Sequence, residues 1–379
     1  MADAETYPEA DRLDGFPHPR ETQHLYGQHG AERLFLDAWQ SGRMHHAWLL
    51  RGPKGVGKAT LAYRAARAMI ADPGDDGPGL FGDPTPKPET LDAPEDCAVQ
   101  ARIEAQAEPR LFVLRRQWDI DKKRLQTQIA VEHVRALRRF LQMSAADGGW
   151  RAVIVDSADE MNRSSANALL KYLEEPPART LFLLISHAPA GLLPTIRSRC
   201  RTLDLAPLIA EDLSLALQQT GAEPPSNPIA LAELSSGSVG AALQLTAEGG
   251  LTLYAGLVKL MANGRVDRPG LMALSGTVGG AANAGQYRAV LELTQTLLAR
   301  LARTGALQAL PPEAAPGEHA LMSAAARDTA QARLWAEALS KIAATTRHAL
   351  AVNLDPQQTV IDMFLEIDAT LGRVRAVAA

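Results

Sequence analysis

The sequence has few cysteines, few aromatic residues and no long apolar segment. Only two of its 379 residues are cysteines, Cys97 and Cys200, which is too few for a four-cysteine zinc site or a disulfide framework. Aromatic residues make up 5% of the chain. No apolar run approaches the ~20 residues that a membrane-spanning helix requires, and the acidic, polar N-terminus forms no signal peptide. We therefore expect a cytoplasmic protein with no membrane contact.

The chain also lacks an excess of basic residues, since its formal net charge is −4. This excludes a polybasic nucleic-acid coat protein, so any nucleic-acid contact must come from a local patch or from a partner protein. The one candidate patch surrounds Trp118 within residues 114–128, where it could touch a DNA backbone. Its basic residues are Arg115, Arg116, Lys122, Lys123 and Arg124. A solvated charged edge is the favoured interpretation, because Asp119 and Asp121 dilute the patch.

Strand and helix patterns alternate in the first half of the chain and give way to helix in the second. Residues 1–21 are expected to be a flexible leader. Short apolar strands alternate with helices over residues 22–206, and this pattern predicts a parallel sheet covered by helices on both faces. Beyond Pro207 the patterns are helical only. The sequence therefore predicts an α/β domain followed by two helical regions, residues 207–250 and 251–379.

A glycine-rich loop, RGPKGVGKATLA at residues 51–62, lies between an apolar strand and a helix. In this setting backbone N–H groups and the helix N-terminus bind phosphate, and Lys58 would reach the β and γ phosphates. ATP or ADP is therefore a possible cofactor. Mg²⁺ normally requires a hydroxyl after the lysine, which Ala59 lacks and which Thr60, pointing elsewhere on the helix, does not replace. A pocket that has kept its fold and lost its ligand remains an equal alternative. The candidate cofactor-binding residues of the loop are Gly52, Pro53, Lys54, Gly55, Val56, Gly57, Lys58 and Thr60.

A second apolar strand, in RAVIVDSADEMN at residues 151–162, ends in Asp156. An aspartate at this place in P-loop ATPases holds Mg²⁺, so Asp156 is a candidate cofactor-binding residue. The alternative is a strand-end aspartate that caps the next turn. Hydrolysing enzymes of the Asp-Glu type carry a glutamate next, but Ser157 follows here, and a serine is no general base without an activated partner. We therefore expect at most weak ATPase activity.

Two longer segments are more specific than the glycine loop. SSANALLKYLEEPP at residues 164–177 and TLFLLISHAPAGLLPTIRSRC at residues 180–200 resemble the clamp-loader branch of the AAA+ ATPases. Residues 45–62, 148–162 and 353–358 are similar to the same branch. The resemblance is strong over the α/β region and weaker beyond it.

The resemblance implies an architecture and a set of partners. Residues 22–206 would be an α/β P-loop AAA+ domain, residues 207–250 a small helical lid, and residues 251–379 an all-α collar for oligomerisation. The collars of this family pack into a five-membered ring with tau or gamma subunits and a delta subunit. The assembled ring opens the sliding clamp and loads it on primed DNA during replication.

The resemblance also implies a role for Arg199, in the motif Ser198-Arg199-Cys200. In the family this arginine projects across the subunit boundary toward ATP held by the neighbour. Because a guanidinium is always charged, it can stabilise charge that develops on the γ phosphate, so Arg199 is the candidate catalytic residue in trans. The alternative is a surface arginine paired with a carboxylate.

The sequence departs from the family at further positions. Many members carry a four-cysteine zinc module where this chain has the proline- and glycine-rich residues 71–96, expected to be a surface loop or an eroded insertion, with Cys97 the one cysteine there. We therefore predict no zinc and no other metal. The arginine usual near the lid would fall at Gly240 or Ala241. Its absence removes a contact to the γ phosphate.

The leading interpretation is a clamp-loader subunit that is not itself an active ATPase and that donates Arg199 to a neighbour. One alternative is an active ATPase of the same branch, closer to tau or gamma. Another is an unrelated P-loop ATPase such as a helicase loader. The residue at the first sensor position, which would face the γ phosphate, is Ser186 or His187, and the sequence leaves that choice open.

Overall fold

The structure is a computed structural model that describes residues 7–13, 15–72, 88–92, 97–142 and 149–378. The chain forms two compact units. The first comprises Met1–Glu223 and Ser238–Gly240, and the second comprises Pro224–Gly237 and Ala241–Ala379. The division into leader, α/β domain, lid and collar stays a prediction. Most of the segment predicted as a surface loop, residues 73–87 and 93–96, lies outside the described residues.

The first unit contains a five-stranded parallel sheet with strand order β2-β5-β6-β1-β7. Beside it lies an antiparallel two-stranded hairpin, β3-β4, which the sequence did not predict. The strands are β1 (Ala47–Arg51), β2 (Leu111–Leu114), β3 (Trp118–Asp119), β4 (Arg124–Leu125), β5 (Arg151–Val155), β6 (Thr180–Ser186) and β7 (Arg201–Asp204). The helices are α1 (His29–Gln40), α2 (Lys58–Ala71), α3 (Ala98–Glu104), α4 (Val131–Gln142), α5 (Arg163–Glu174), α6 (Pro194–Arg197) and α7 (Ala210–Gln219).

Helices cover both faces of the sheet because alternate strand residues point to opposite sides. On one face, Leu49 of β1 and Leu184 of β6 pack in a buried cluster with apolar residues of α4, α5 and α6. On the other face, the ring of Trp48 lies 5.3 Å from that of Phe35 in α1, and α2 packs against β5 and β6. All seven residues of β6 are buried. The predicted α/β P-loop class is confirmed.

The parallel register brings the carboxyl ends of three strands together. Arg51 at the end of β1 pairs with Ser186 at the end of β6. On the other side of β6, Val155 at the end of β5 pairs with Leu184. The glycine loop, Asp156 and His187 therefore follow neighbouring strands at one edge of the sheet, where parallel α/β sheets bind their ligands.

The second unit is helical throughout, as the sequence predicts. Its largest fully buried side chains are Tyr254, Trp335 and Phe364, which belong to one apolar cluster. None of the helices in the described residues is long and apolar enough to span a membrane. The helices beyond residue 223 are α8 (Pro228–Ser235), α9 (Val239–Ala247), α10 (Gly250–Met261), α11 (Arg268–Thr277), α12 (Ala284–Leu307), α13 (Glu318–Ala325), α14 (Thr329–Ala351) and α15 (Pro356–Ala378).

A buried carboxylate, Glu318, joins three helices of this unit. It has no exposed surface and accepts hydrogen bonds from the Tyr254 hydroxyl at 2.5 Å and from Nε of Arg300 at 2.7 Å. The backbone N–H of Ala314 donates to it at 2.6 Å. Arg300 also donates to Glu233 of α8 at 2.7 Å. Since buried charges are costly unless paired, this network is a point of high sensitivity to substitution.

The substitution Glu318→Gln should destabilise the second unit by about 3 kcal/mol, because it leaves the buried Arg300 without its main counter-charge. Native-state hydrogen exchange of α12 and α13 measures this directly. The matched control is Glu366→Gln, which removes a more exposed pair with Lys341 at 2.6 Å and should change stability by about 0–1 kcal/mol. Equal effects of the two substitutions would contradict the role given to the buried network.

Comparing the wild type with Glu318→Gln also tests how the stabilisation by Glu318 depends on pH. Burial acts to raise the pKa of Glu318, but hydrogen bonds from Arg300 and Tyr254 outweigh it and hold the pKa below its usual value. A lowered carboxyl pKa contributes stability above the unfolded-state pKa, and this stability is lost as the pH falls through the folded-state pKa. The difference between wild type and Glu318→Gln should therefore shrink below about pH 4. A difference that stays constant to lower pH would contradict this origin.

Candidate nucleotide site and interface arginine

The glycine loop, residues 52–57, connects β1 to α2 as predicted. Two of its glycines are required by close packing as well as by backbone angles. At Gly52 the φ angle is +147° and a Cβ would lie 2.3 Å from the carbonyl oxygen of Leu205. At Gly55 the φ angle is +79° and a Cβ would lie 2.2 Å from Oγ of Ser238. Side chains at either position would displace the loop from its neighbours.

Protein contacts hold the loop from both sides. Nε2 of Gln28, which lies just before α1, donates to the carbonyls of Val56 at 3.1 Å and Ala206 at 2.7 Å. The backbone N–H of Val239 donates to the carbonyl of Gly55 at 2.9 Å. The loop is therefore held in place by the chain itself.

Lys58 is the first residue of α2 and is 3% exposed. Its Nζ donates to the carbonyl of Gly52 at 2.8 Å and to that of Pro53. Burial lowers the pKa of Lys58 to about 8, against the opposing charges of Asp156 and Asp159. The ammonium is thus still mainly charged at neutral pH, and its hydrogen bonds are directed at the loop that it follows.

Asp156 follows β5 and is 8% exposed. Its backbone N–H donates to the carbonyl of Leu114 at 2.9 Å, which continues the pairing of β5 with β2. Burial raises the pKa of Asp156 to about 7, and the charges of Asp11 and Glu160 act in the same direction. Because protonation of this carboxyl is favoured relative to that of an ordinary aspartate, it is a poorer ligand for Mg²⁺.

The residue after Asp156 has a partner that the sequence did not indicate. Ser157 adopts a left-handed conformation with φ of 57°, and its Oγ lies 3.3 Å from Nε2 of His187. The backbone N–H of His187 donates to the carboxylate of Asp159 at 2.9 Å. Burial and the nearby Lys58 lower the pKa of His187 to about 4, so its ring is neutral at pH 7. The edge of the sheet therefore carries a serine and a neutral imidazole beside the glycine loop.

The two candidates for the first sensor position differ in their surroundings. Ser186 is the last residue of β6 and is fully buried. His187 is the next residue, and its side chain reaches across to Ser157 at the end of the neighbouring strand. The carboxyl ends of β5 and β6 lie side by side. The position of His187 just beyond β6 was therefore the sequence signal that could have identified its pairing with Ser157. The next hydroxyl in the sequence after Ala59 is that of Thr60, one residue and about 100° further around α2.

Arg199 lies beyond α6, apart from the glycine loop in sequence and partly exposed. Its Nη2 is 2.8 Å from the carboxylate of Glu174, where the side chains are 35% and 48% exposed respectively. Its Nη1 donates to the carbonyl of Thr195 at 3.0 Å. The guanidinium is therefore oriented by α5 and α6 at the protein surface. Arg199 is therefore paired with a carboxylate, which was the alternative interpretation of this residue from the sequence.

No group of His, Cys, Asp or Glu side chains suited to a metal ion occurs in the described part of the chain. Cys97 and Cys200 are both free. Burial raises the pKa of Cys200 to about 12, so this thiol is unreactive at neutral pH. The absence of zinc stays a prediction, since it rests on the two-cysteine sequence.

Two arginines of the basic patch around Trp118 are paired with carboxylates of the same unit. Arg115 forms ion pairs with Glu9 at 2.5 Å and Asp11 at 2.6 Å. Arg116 pairs with Glu160 at 2.5 Å. These contacts favour the charged-edge interpretation over a contact to DNA. Glu9 and Asp11, within the segment predicted as a flexible leader, have defined contacts. The leader itself stays a prediction.

Comparisons with known proteins relate this chain to subunits of DNA polymerase III. The family model described as DNA polymerase III, delta subunit, matches residues 27–209. Over 155 residues, 41% of either chain, the protein is 37% identical to DNA polymerase III subunit delta' of Pseudomonas aeruginosa. Over 208 residues it is 31% identical to subunit delta' of Escherichia coli, which covers 55% of this chain and 56% of that one. The chain thus spans about half the length of the curated relatives that it matches.

A solved DNA polymerase III gamma subunit-related protein from Thermotoga maritima overlaps 89% of this chain and 99% of its own, with 14% identity and a TM-score of 0.38. The sequence matches carry the similarity to delta' subunits. Residues 27–209, which match the family model, contain the glycine loop, Asp156 and Arg199. The chain is thus similar to DNA polymerase III delta' subunits over about half of its length, and to the family model over residues 27–209.

Proposed function

We propose that this protein is a clamp-loader subunit of DNA replication that acts as a rigid member of the ring. Its partners would be the tau or gamma subunits and a delta subunit, and through the assembled complex the sliding clamp and primed DNA. It would work in the cytoplasm, and its own contribution to ATP hydrolysis would be weak or absent. The match of residues 27–209 to the DNA polymerase III family model and the similarity to delta' subunits support the assignment to the loader.

One combination of residues carries the proposal that this subunit assists a neighbour. Arg199 is at the surface, two residues beyond the short helix α6. The chain's own P-loop has Ala59 in place of a hydroxyl and Ser157 in place of a glutamate. The groups that hydrolysis needs are thus missing from its own site, while the group that serves another site in trans is in place.

The ion pair with Glu174 is compatible with this role. Both side chains are partly exposed, and exposed pairs of this kind contribute about 0–1 kcal/mol. Exchanging the carboxylate of Glu174 for a phosphate of a neighbouring nucleotide therefore has a small cost. The hydrogen bond to Thr195 can persist during that exchange, because it uses the other terminal nitrogen.

The substitution Arg199→Ala should leave the isolated chain folded and should reduce DNA-stimulated ATP turnover in the assembled loader. The turnover lost should be that of the single adjacent site, which we expect to fall by about tenfold or more, since removing a preorganised cation exposes developing phosphate charge. Steady-state ATP hydrolysis by the reconstituted complex, with the neighbour's site as the only active one, measures this.

Arg197→Ala is the matched control, because Arg197 is exposed at the end of the same short helix. It removes a positive charge two residues away and should leave turnover unchanged. Equal turnover in the Arg199→Ala complex and the wild-type complex would remove the proposed role. A loss that is the same for both variants would point to general electrostatics instead of a specific contact.

A second candidate function, an active ATPase, is favoured by the Ser157–His187 pair. A neutral imidazole can accept a proton, so His187 could orient or deprotonate an attacking water in place of the missing glutamate. In this alternative the chain would hydrolyse ATP itself, as an ATPase subunit of the same branch does. The hydrolysis rate of the isolated chain separates the two candidates.

We expect the isolated chain to show no Mg²⁺-dependent ATP turnover above background, because three of the groups that hold the metal, the water and the γ phosphate are missing. Phosphate release by the purified chain, with and without Mg²⁺, measures this. Lys58→Ala is the control for contaminating activity. Turnover that disappears in both Lys58→Ala and His187→Ala would contradict the proposal and support the second candidate.

A further inference from the structure

The N-terminal strap, defined as residues 7–13 and 15–21, is bound to the sheet by buried and half-buried charges. Oxygens of Glu9 and Asp11 lie 2.5 and 2.6 Å from the guanidinium of Arg115, directly beyond β2. Arg20, within the strap, donates to both oxygens of Glu9 at 2.9 Å. Burial acts to raise the pKa of Glu9, but these two arginines outweigh it and lower that pKa to about 2. The carboxylate is therefore held in its charged form.

Aromatic contacts anchor the strap at two further points. His18 is fully buried, and its ring meets the ring of Tyr63 in α2 edge-on at 5.6 Å. Its Nε2 lies 3.1 Å from the carboxylate of Asp11. At the start of the strap, the ring of Tyr7 stacks on that of Trp118 in β3 at 6.4 Å. The strap thus contacts α2, the end of β2 and the hairpin that follows it.

The elements held by the strap are hydrogen-bonded to the turn that follows Asp156, residues 157–161. The carbonyl of Leu114, one residue before Arg115, accepts from the backbone N–H of Asp156 at 2.9 Å. Arg116 forms its ion pair with Glu160 inside the turn at 2.5 Å. The backbone N–H of Ile129 donates to the carbonyl of Glu160 at 3.0 Å. A continuous set of contacts therefore runs from the strap to the turn.

We propose that the N-terminal strap is a conformational lock on this turn. It fixes the positions of Asp156 and Ser157 from within the chain, so that the turn keeps one conformation without a bound nucleotide. The purpose of the lock rests on the proposed function, because a rigid ring member needs a nucleotide site that does not move with nucleotide state. The lock itself is a property of the isolated chain.

The charged side chains that hold the strap on the sheet are largely buried. The side chains of Asp11, Glu9 and Arg115 are 3%, 12% and 14% exposed, unlike typical surface ion pairs. Neutralising the carboxylates removes both counter-charges of Arg115 and the nearer counter-charge of Arg20, which keeps only Glu21 at 3.9 Å. Breaking pairs of this kind is strongly unfavourable, so loss of the charges should release the strap.

The test is hydrogen exchange, followed by mass spectrometry, of the full chain carrying Glu9→Gln and Asp11→Asn. Peptides from the strap and from residues 156–162 should exchange about tenfold faster or more than in the wild type. Peptides from β7 and from the second unit should be unchanged and serve as internal references. The control Asp37→Asn removes an exposed pair with Arg33 at 3.4 Å and should alter neither segment.

Faster exchange in the strap with unchanged exchange at residues 156–162 would overturn the proposal, and so would an unchanged strap. If the double variant does not fold, Glu9→Gln alone keeps the Asp11–Arg115 pair and gives a smaller change in the same two segments. The assay involves neither a neighbouring subunit nor ATP. Failure of the Arg199 role and failure of the lock are therefore observed in separate experiments.

Discussion

The hydrogen-bonded position of β6 between β1 and β5 is the constraint on which the candidate site depends. All seven residues of this strand are buried, and both of its edges are paired in parallel. A shift of one residue would exchange the side chains that pack against the helices on the two faces, and because both layers are close-packed the register is strongly specified. The same register places the glycine loop, Asp156 and His187 at one edge. Packing of apolar side chains thus determines which polar groups meet.

Much of this framework could be predicted from sequence, because it follows from local apolar patterns. The strand β6 is a continuous apolar run, and α4 carries Val134, Leu137 and Leu141 at helical spacing. A continuous apolar run and a helical spacing of apolar residues each identify one structure. The glycine loop followed from a motif whose context, a strand before it and a helix after it, can be checked in the sequence itself. The hairpin β3-β4 was missed because each of its strands has only two residues.

The electrostatic details of the site could not be predicted, because they depend on pairs far apart in the chain. Arg115 and its partners Glu9 and Asp11 are about a hundred residues apart, and no local pattern links them. An acidic, proline-containing N-terminus looks like a solvated leader until its counter-charges are located. The pKa of Asp156 is raised mainly by burial, which is a property of the folded surroundings. Residue types were therefore predictable, whereas their protonation and partners required the structure.

The glycine loop has a consequence for how such motifs evolve. Gly52 and Gly55 are required by neighbouring atoms of the same chain, and the Lys58 ammonium is satisfied by carbonyls of the loop. Selection for a well-packed fold would therefore retain these residues even in a lineage whose ancestors had ceased to use a nucleotide. None of these named contacts involves the side chain of residue 59, so they do not retain a hydroxyl at that position. In this setting packing retains the glycines and the lysine of a P-loop motif. The residue after the lysine is therefore the better indicator of whether the loop served nucleotide chemistry.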